Sequence, residues 1–278
     1  MNTKTTQDLS PHRHISFTAH YTGYIWYLLG ISHERLATAK GKQLATLLHP
    51  FETLAEKFVG HSVRSTLKLR HRLIDQRLEE LIAQHPDLQI IEIAAGLSPR
   101  GWRFRQKYPA ISYIEVDLPT MAAIKREALQ PIEPDAKVYG CDIFSEQFQQ
   151  ILKQDLDHSR PIAVLSEGLI NYFSKDLIGQ LSQILSTGFQ QFPNGYFISD
   201  LYPEPTHRLA KVIWHSSKLL KFLSKSEFQF YFTSPQEAAE FFKTHGFKKT
   251  HIRQASNFEH PEEQNHLGDI VWIVEAQV

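Results

Sequence analysis

A single cysteine, Cys141, in 278 residues excludes an internal disulfide and any cysteine-rich metal centre, which fits a reducing compartment. Charge of one sign is missing as well. The 30 Lys and Arg residues balance the 30 Asp and Glu, so no global field draws the chain to nucleic acid or an anionic membrane, and a small partner is expected. Long hydrophobic runs are absent: the best, Tyr24 to Ile31, is too short for a bilayer. The polar opening MNTKTTQDLSPHRH lacks the apolar core of a signal peptide, so a cytoplasmic protein is expected. Fifteen histidines occur, but none in H-x-x-x-H or H-E-x-x-H spacing, and no metal is expected. No G-x-G-x-x-G is present. The stretch from Gly96 to Gly101 has the length of a phosphate loop, but Trp102 follows where a lysine would be needed.

What is there centres on Ile90 to Pro119. Leu88, Ile90, Ile91 and Ile93 form an apolar run broken only by Gln89 and Glu92, and Ala94, Ala95 and Gly96 follow. That pattern predicts a buried parallel strand feeding a turn whose backbone a ligand can approach. Asp117 comes at the end of a second apolar strand (Tyr113, Ile114, Val116), where a nucleotide-binding α/β fold places a carboxylate for ribose hydroxyls. The plainer alternative is that the small residues only let helix and strand pack closely.

Residues 1–65 carry Phe17, Tyr21, Tyr24, Trp26 and Tyr27 ahead of a helix-like segment from Ser32 to Leu48, and read as a helical cap. Residues 66–202 read as a cofactor-binding core. It opens on a helix from Ser65 to Gln84, whose Arg70, Arg72 and Arg77 are, on the bland reading, solvated or paired with Asp75, Glu79 and Glu80. After Asp117, Pro119 opens a helix through Leu129, and strands follow at Ala136 to Cys141, Pro161 to Ser166 and Gly195 to Tyr202. The strands alternate with helices from Phe144 to Lys153 and Lys175 to Phe192.

Residues 203–233 form a helical insertion rich in aromatics, with Trp214, Phe222, Phe228, Phe230, Tyr231 and Phe232, expected to wall a substrate pocket. In residues 234–278 a helix (Pro235 to His245) and a strand pair (Phe247 to Ala255, Asp269 to Ala276) close the fold. The expectation is a single α/β domain with a doubly wound, mostly parallel seven-stranded sheet. Asp117, Asp142, Glu167 and Asp200 then stand at the carboxyl ends of successive strands, where ligands bind in open α/β sheets. Helix capping would explain Asp117 and Asp142 without a ligand, but explains Glu167 less well.

Four segments, LRHRLID (Leu69 to Asp75), IIEIAAGLSPRG (Ile90 to Gly101), YIEVDLP (Tyr113 to Pro119) and VLSEGLINYF (Val164 to Phe173), resemble the leucine carboxyl methyltransferase family, including its bacterial polyketide O-methyltransferase-like branch. The resemblance implies a Rossmann-like class I methyltransferase fold and S-adenosylmethionine as cofactor, with S-adenosylhomocysteine as product. It also implies that Arg70 meets the methionine carboxylate, that the Ala94, Ala95 and Gly96 turn passes beneath the amino-acid end, and that Asp117 binds the ribose. Asp142 with the backbone of Ile143 would read the adenine edge, and Glu167 would face the methionine ammonium. Four positions depart from the family pattern: Ala94 stands where glycine is usual, Ser98-Pro99 replace Asp-Thr, and His71 replaces the threonine after the arginine.

The implied reaction is methyl transfer to a carboxylate or hydroxyl of a small molecule, with a protein C-terminus as the other acceptor class. Tyr21, Tyr24, Asn171, Tyr172 and Trp214 are expected at the substrate pocket. A carboxylate needs no base, whereas a hydroxyl does, for which His20, His207 and His215 are the candidates. Two rival readings are a nicotinamide-dependent oxidoreductase, to which the missing glycine fingerprint is an objection, and an inactive nucleoside-binding or interaction protein.

Overall fold

The computed structural model describes residues 16–59, 63–204, 228–258 and 271–278. Its centre is a seven-stranded sheet: β1 (Gln89–Ile93), β2 (Ser112–Asp117), β3 (Lys137–Gly140), β4 (Ile162–Ser166), β5 (Gly195–Leu201), β6 (Lys249–Gln254) and β7 (Trp272–Gln277). The order is β3-β2-β1-β4-β5-β7-β6. Strands β1 to β5 pair in parallel, while β7 runs antiparallel to both β5 and β6. Strand order therefore reverses between β1 and β4, and the crevice beyond their carboxyl ends is where such a sheet receives ligands.

The helices between strands are those the sequence pattern predicts. Helix α3 (Val63–Gln84) precedes β1, α4 (Arg100–Lys107) follows it, α5 (Pro119–Leu129) carries its proline in the first turn, and α6 (Glu146–Gln154), α7 (Lys175–Phe189) and α8 (Pro235–Thr244) follow. Ser145, Ser174 and Ser234 each cap a helix by accepting a hydrogen bond from the backbone N–H three residues on.

Strand alternation divides the core. Ile91, Ile93, Ile114 and Val116 pack with α6 and α7 through Phe148, Leu152, Leu181 and Leu185, whereas Ile90 and Tyr113 pack with α3 and α4 through Ile74, Leu78 and Phe104. Glu92 follows Ile90 on the α3 and α4 face, where burial demands a partner.

The cap departs from expectation. The aromatic segment is itself a helix, α1 (Ser16–Leu28), and α2 runs Ala39–Val59, past Pro50, instead of stopping at Leu48. Helix α1 packs Tyr21 and Ile25 with Leu44, Ala45 and Leu48 of α2. Its other side is small enough to lie on the turn after β1: a Cβ on Gly23 would fall 2.7 Å from Cβ of Leu97, and one on Gly96 would fall 3.0 Å from Cβ of Ala19. No helix among the described residues is long and apolar enough to cross a membrane.

Candidate active site

The turn after β1 is built for close approach. Ala94 (φ +50°) and Gly96 (φ +48°) both adopt the left-handed region, which costs an alanine about 1–2 kcal/mol and a glycine almost nothing. The turn is pinned from three sides. The Ala95 N–H donates to the Val116 carbonyl (3.2 Å), the fully buried Lys125 donates to the Ala95 carbonyl (3.3 Å), and the Gly96 N–H donates to Oδ2 of Asp117 (2.6 Å). Oδ1 of Asp117 accepts the Leu118 N–H (2.7 Å), so both carboxylate oxygens are aimed by backbone donors. Burial raises the Asp117 carboxyl above its ordinary range, against the pull of those two N–H groups. At the end of β3, Oδ1 of Asp142 accepts the Phe144 N–H at 2.9 Å.

Across the reversal point, Arg70 of α3 meets the end of β4. Its Nε donates to Oε1 of Glu167 at 2.8 Å, and its Nη1 reaches Oδ2 of Asp200 (3.5 Å) and the Tyr202 hydroxyl (3.4 Å). Gly168 makes room for this: at φ +70° it holds a left-handed turn, and a Cβ there would sit 2.9 Å from Nη2 of Arg70. Its N–H donates to Oδ1 of Asp200 (2.6 Å). Burial would raise Glu167, but its partners His71, Arg100 and Arg70 outweigh it and hold the carboxyl well below its usual range. Burial raises Asp200, and Arg70 offsets only part of that.

The pairing of Arg70 with Glu167 and Asp200 replaces the bland reading of that arginine. Arg77 keeps to it in part, pairing with Glu80 (2.9 Å) and also with Glu275 (3.0 Å).

Beneath this pair lies a network that sequence reasoning missed. Arg100, with a side chain 0% exposed, donates to Oδ1 of Asp75 (2.6 Å), Oε1 of Glu92 (2.7 Å) and Oε2 of Glu167 (2.6 Å). The Tyr113 hydroxyl donates to the other oxygen of Glu92 at 2.9 Å. Burial likewise opposes ionisation of Asp75, yet His71, Arg100 and Arg103 bring it below the ordinary carboxyl value. Glu92 and Glu115 face each other in register on β1 and β2, a like-charge arrangement that is tolerable because each has its own cation: Arg100 for Glu92, and Lys125 with Arg105 for Glu115. The signal for this network was an acid interrupting each of two buried strands.

The structure thus brings Arg70 to Glu167 and the Ala94, Ala95 and Gly96 turn to Asp117 at the carboxyl ends of β1, β2 and β4, with Asp142 and Ile143 just beyond β3. Other expected site residues are placed differently. Nδ1 of His20 lies 2.9 Å from the Thr38 hydroxyl, which caps α2 by accepting the Gly41 N–H, and burial and Lys40 lower its proton affinity. Tyr21 and Tyr24 share that α2-facing side of α1, where buried apolar area draws them against α2.

Asn171 is taken up by backbone: its amide donates to the carbonyls of Tyr202 (2.9 Å) and Gln229 (2.7 Å) and accepts the Tyr202 N–H (2.9 Å). Tyr172 meets Phe228 edge to face at 5.2 Å, and Phe228 in turn touches Tyr202 and Phe230, giving an aromatic wall beside Arg70. Trp214, His207 and His215 lie outside the described residues, as does most of the 203–233 insertion.

The sequence model of the family described as leucine carboxyl methyltransferase matches residues 30–185, more than half of the chain. The tetracenomycin polyketide synthesis O-methyltransferase TcmP of Streptomyces glaucescens is 27% identical over 143 residues, 51% of this chain and 49% of its own, so the chain spans about half the length of that curated relative. Among solved structures, a candidate methyltransferase from Thermobifida fusca superimposes with a TM-score of 0.64 at 12% identity, covering 92% of this chain and 93% of the other. A candidate O-methyltransferase from Nostoc punctiforme gives 0.50 at 16% identity over 73% and 55%. At such identities the structural likeness is one of fold.

Proposed function

The chain belongs to the leucine carboxyl methyltransferase family, and we propose that it is an S-adenosylmethionine-dependent O-methyltransferase acting on a carboxylate or hydroxyl of a small molecule. The observation that carries this reading is the Arg70 to Glu167 pair, 2.8 Å apart in the crevice where the strand order reverses. An amino-acid group presents a carboxylate and an ammonium on one carbon, and a guanidinium beside a carboxylate offers each of them an opposite charge. Asp117 suits the nucleoside half: its two oxygens are fixed by backbone donors, and each keeps a lone pair for a ribose hydroxyl. Asp142, whose Oδ1 holds the Phe144 N–H, would receive the adenine amino edge beside the backbone of Ile143.

When bound, S-adenosylmethionine supplies a methyl group on a sulfonium, open to in-line displacement by a nucleophile. The protein's part is to hold, align and exclude water. Arg70 and Glu167 would hold the amino-acid end, the Ala94 to Gly96 turn would let it lie close, and α1, seated on that turn through Ala19 and Gly23, would shield it. A carboxylate acceptor is already ionised and asks for no base. For a hydroxyl acceptor, His215 is the better candidate, since His20 is already engaged by Thr38. The aromatic wall of Tyr172, Phe228 and Phe230, and the polyketide-synthesis role of the Streptomyces relative, both support a small apolar acceptor over a protein C-terminus.

Titration calorimetry with S-adenosylmethionine, S-adenosylhomocysteine and NAD tests the reading. Binding of the first two and not the third is expected. Binding of NAD alone, or of none, would overturn it.

A further inference from the structure

We infer that His71 is the positioning residue for Glu167: its imidazole carries the proton on Nδ1, donates it to Oε2 of Glu167, and is locked in that tautomer by Arg103. His71 is 1% exposed on α3, one position after Arg70. Its Nδ1 lies 2.8 Å from Oε2 of Glu167, and its Nε2 lies 3.1 Å from Nη1 of Arg103. A guanidinium carries N–H donors and no acceptor, so the ring nitrogen that faces it presents a lone pair, which leaves the proton for Nδ1.

Both charged neighbours of Nε2 agree with this assignment. Nη1 of Arg103 is itself anchored on Oδ2 of Asp75 at 2.7 Å, while that same oxygen is 3.7 Å from Nε2, beyond hydrogen-bond reach. On α4, Nη2 of Arg100 is 2.9 Å from Nδ1 but donates to Oε2 of Glu167 at 2.6 Å, so two donors converge on one oxygen. From α1 the neighbour is the ring of Trp26, 5.3 Å away between centroids.

The arrangement divides the labour of the Glu167 carboxylate. His71 and Arg100 hold Oε2, and Arg70 holds Oε1. If Arg70 turns to a ligand carboxylate, Glu167 stays oriented by its other oxygen, and Oε1 becomes the one that receives an ammonium. That consequence rests on the cofactor reading; the tautomer does not.

The test has two readouts. Nitrogen-15 NMR of histidine side chains in the ligand-free protein, with His71 assigned by its loss in His71→Asn, is expected to show a pyrrole-like Nδ1 and a pyridine-like Nε2. Arg103→Met is expected to mix the tautomers. A pyridine-like Nδ1 in the wild-type protein would overturn the inference. In calorimetry with S-adenosylhomocysteine, His71→Asn keeps an N–H near the Nδ1 position and is expected to bind within about threefold of wild type, whereas His71→Ala is expected to bind about tenfold more weakly. Equal binding by His71→Ala and wild type would overturn the positioning role. Failure of the wild type itself to bind strikes the methyltransferase reading instead, and the nitrogen spectra then decide the tautomer alone.

Discussion

Replacing Arg100 by methionine keeps a long side chain in place and removes one cation. That cation has 0% side-chain exposure and lies 2.6–2.7 Å from three carboxylates, those of Asp75, Glu92 and Glu167. Deleting one partner of a buried ion pair costs about 3–5 kcal/mol, because the remaining charge has neither water nor counter-ion. Against a total stability of about 5–15 kcal/mol, Arg100→Met is expected to lose about a fifth or more of the whole.

The sign of the pH dependence follows from the carboxyl shifts. In the wild type, Asp75 and Glu167 are held below their ordinary values, so their stabilisation is present above the unfolded pKa of about 4 and is lost as pH falls through the folded values. Without Arg100, burial gains weight and pushes these carboxyls up, which favours the folded state in acid and penalises it as pH rises. The gap between wild type and variant should therefore be widest at neutral pH and narrow towards pH ~4. Urea unfolding followed by circular dichroism at pH ~5 and ~7 would measure it. A loss under about 1 kcal/mol, or the same loss at both pH values, would refute the claim that Arg100 neutralises these acids. Adding Glu92→Gln to the variant should recover at least about 1 kcal/mol by removing one orphaned charge.

Other expectations are simpler. Ala94→Gly should stabilise by about 0.5–1 kcal/mol, because glycine meets φ +50° without strain; a lowered melting temperature would contradict this. Gly168→Ala places a Cβ 2.9 Å from Nη2 of Arg70 and should cost about 1–2 kcal/mol while weakening S-adenosylhomocysteine binding; unchanged affinity would separate Arg70 from the ligand. Arg70→Ala and Glu167→Gln should each weaken that binding about tenfold or more, and calorimetry indistinguishable from wild type would remove the residue from the site.

The parallel strands were legible because most are short, apolar and bounded by small or capping residues, and Pro119 marked the first turn of α5. Helix α1 was not. Its sequence SFTAHYTGYIWYL has aromatics and threonines of modest helix propensity and no polar face, since the helix is wedged between α2 and the Gly96 turn, and packing overrides the local preference.

The site divides in the same way. Asp117 and Glu167 could be placed because strand ends converge in any doubly wound sheet. The residues beneath them could not, because His71 and Asp75 lie one helical turn apart on α3 while Glu92 and Arg100 flank the β1 turn, and only the docking of α3 and α4 onto one face of the sheet joins them. The visible trace was Glu92, an acid inside a strand whose every residue is buried.

The order of strands in space inverts the order of synthesis at one edge. Strand β6 (Lys249–Gln254) is made before β7 (Trp272–Gln277), yet among the described residues β6 pairs only with β7, which lies between it and β5. Until β7 is available, β6 has no ladder to join, and the edge of β5 stays unpaired as a template for another chain. Formation of this edge of the sheet therefore waits on one late segment, and a deletion confined to β7 would remove two strands from the sheet.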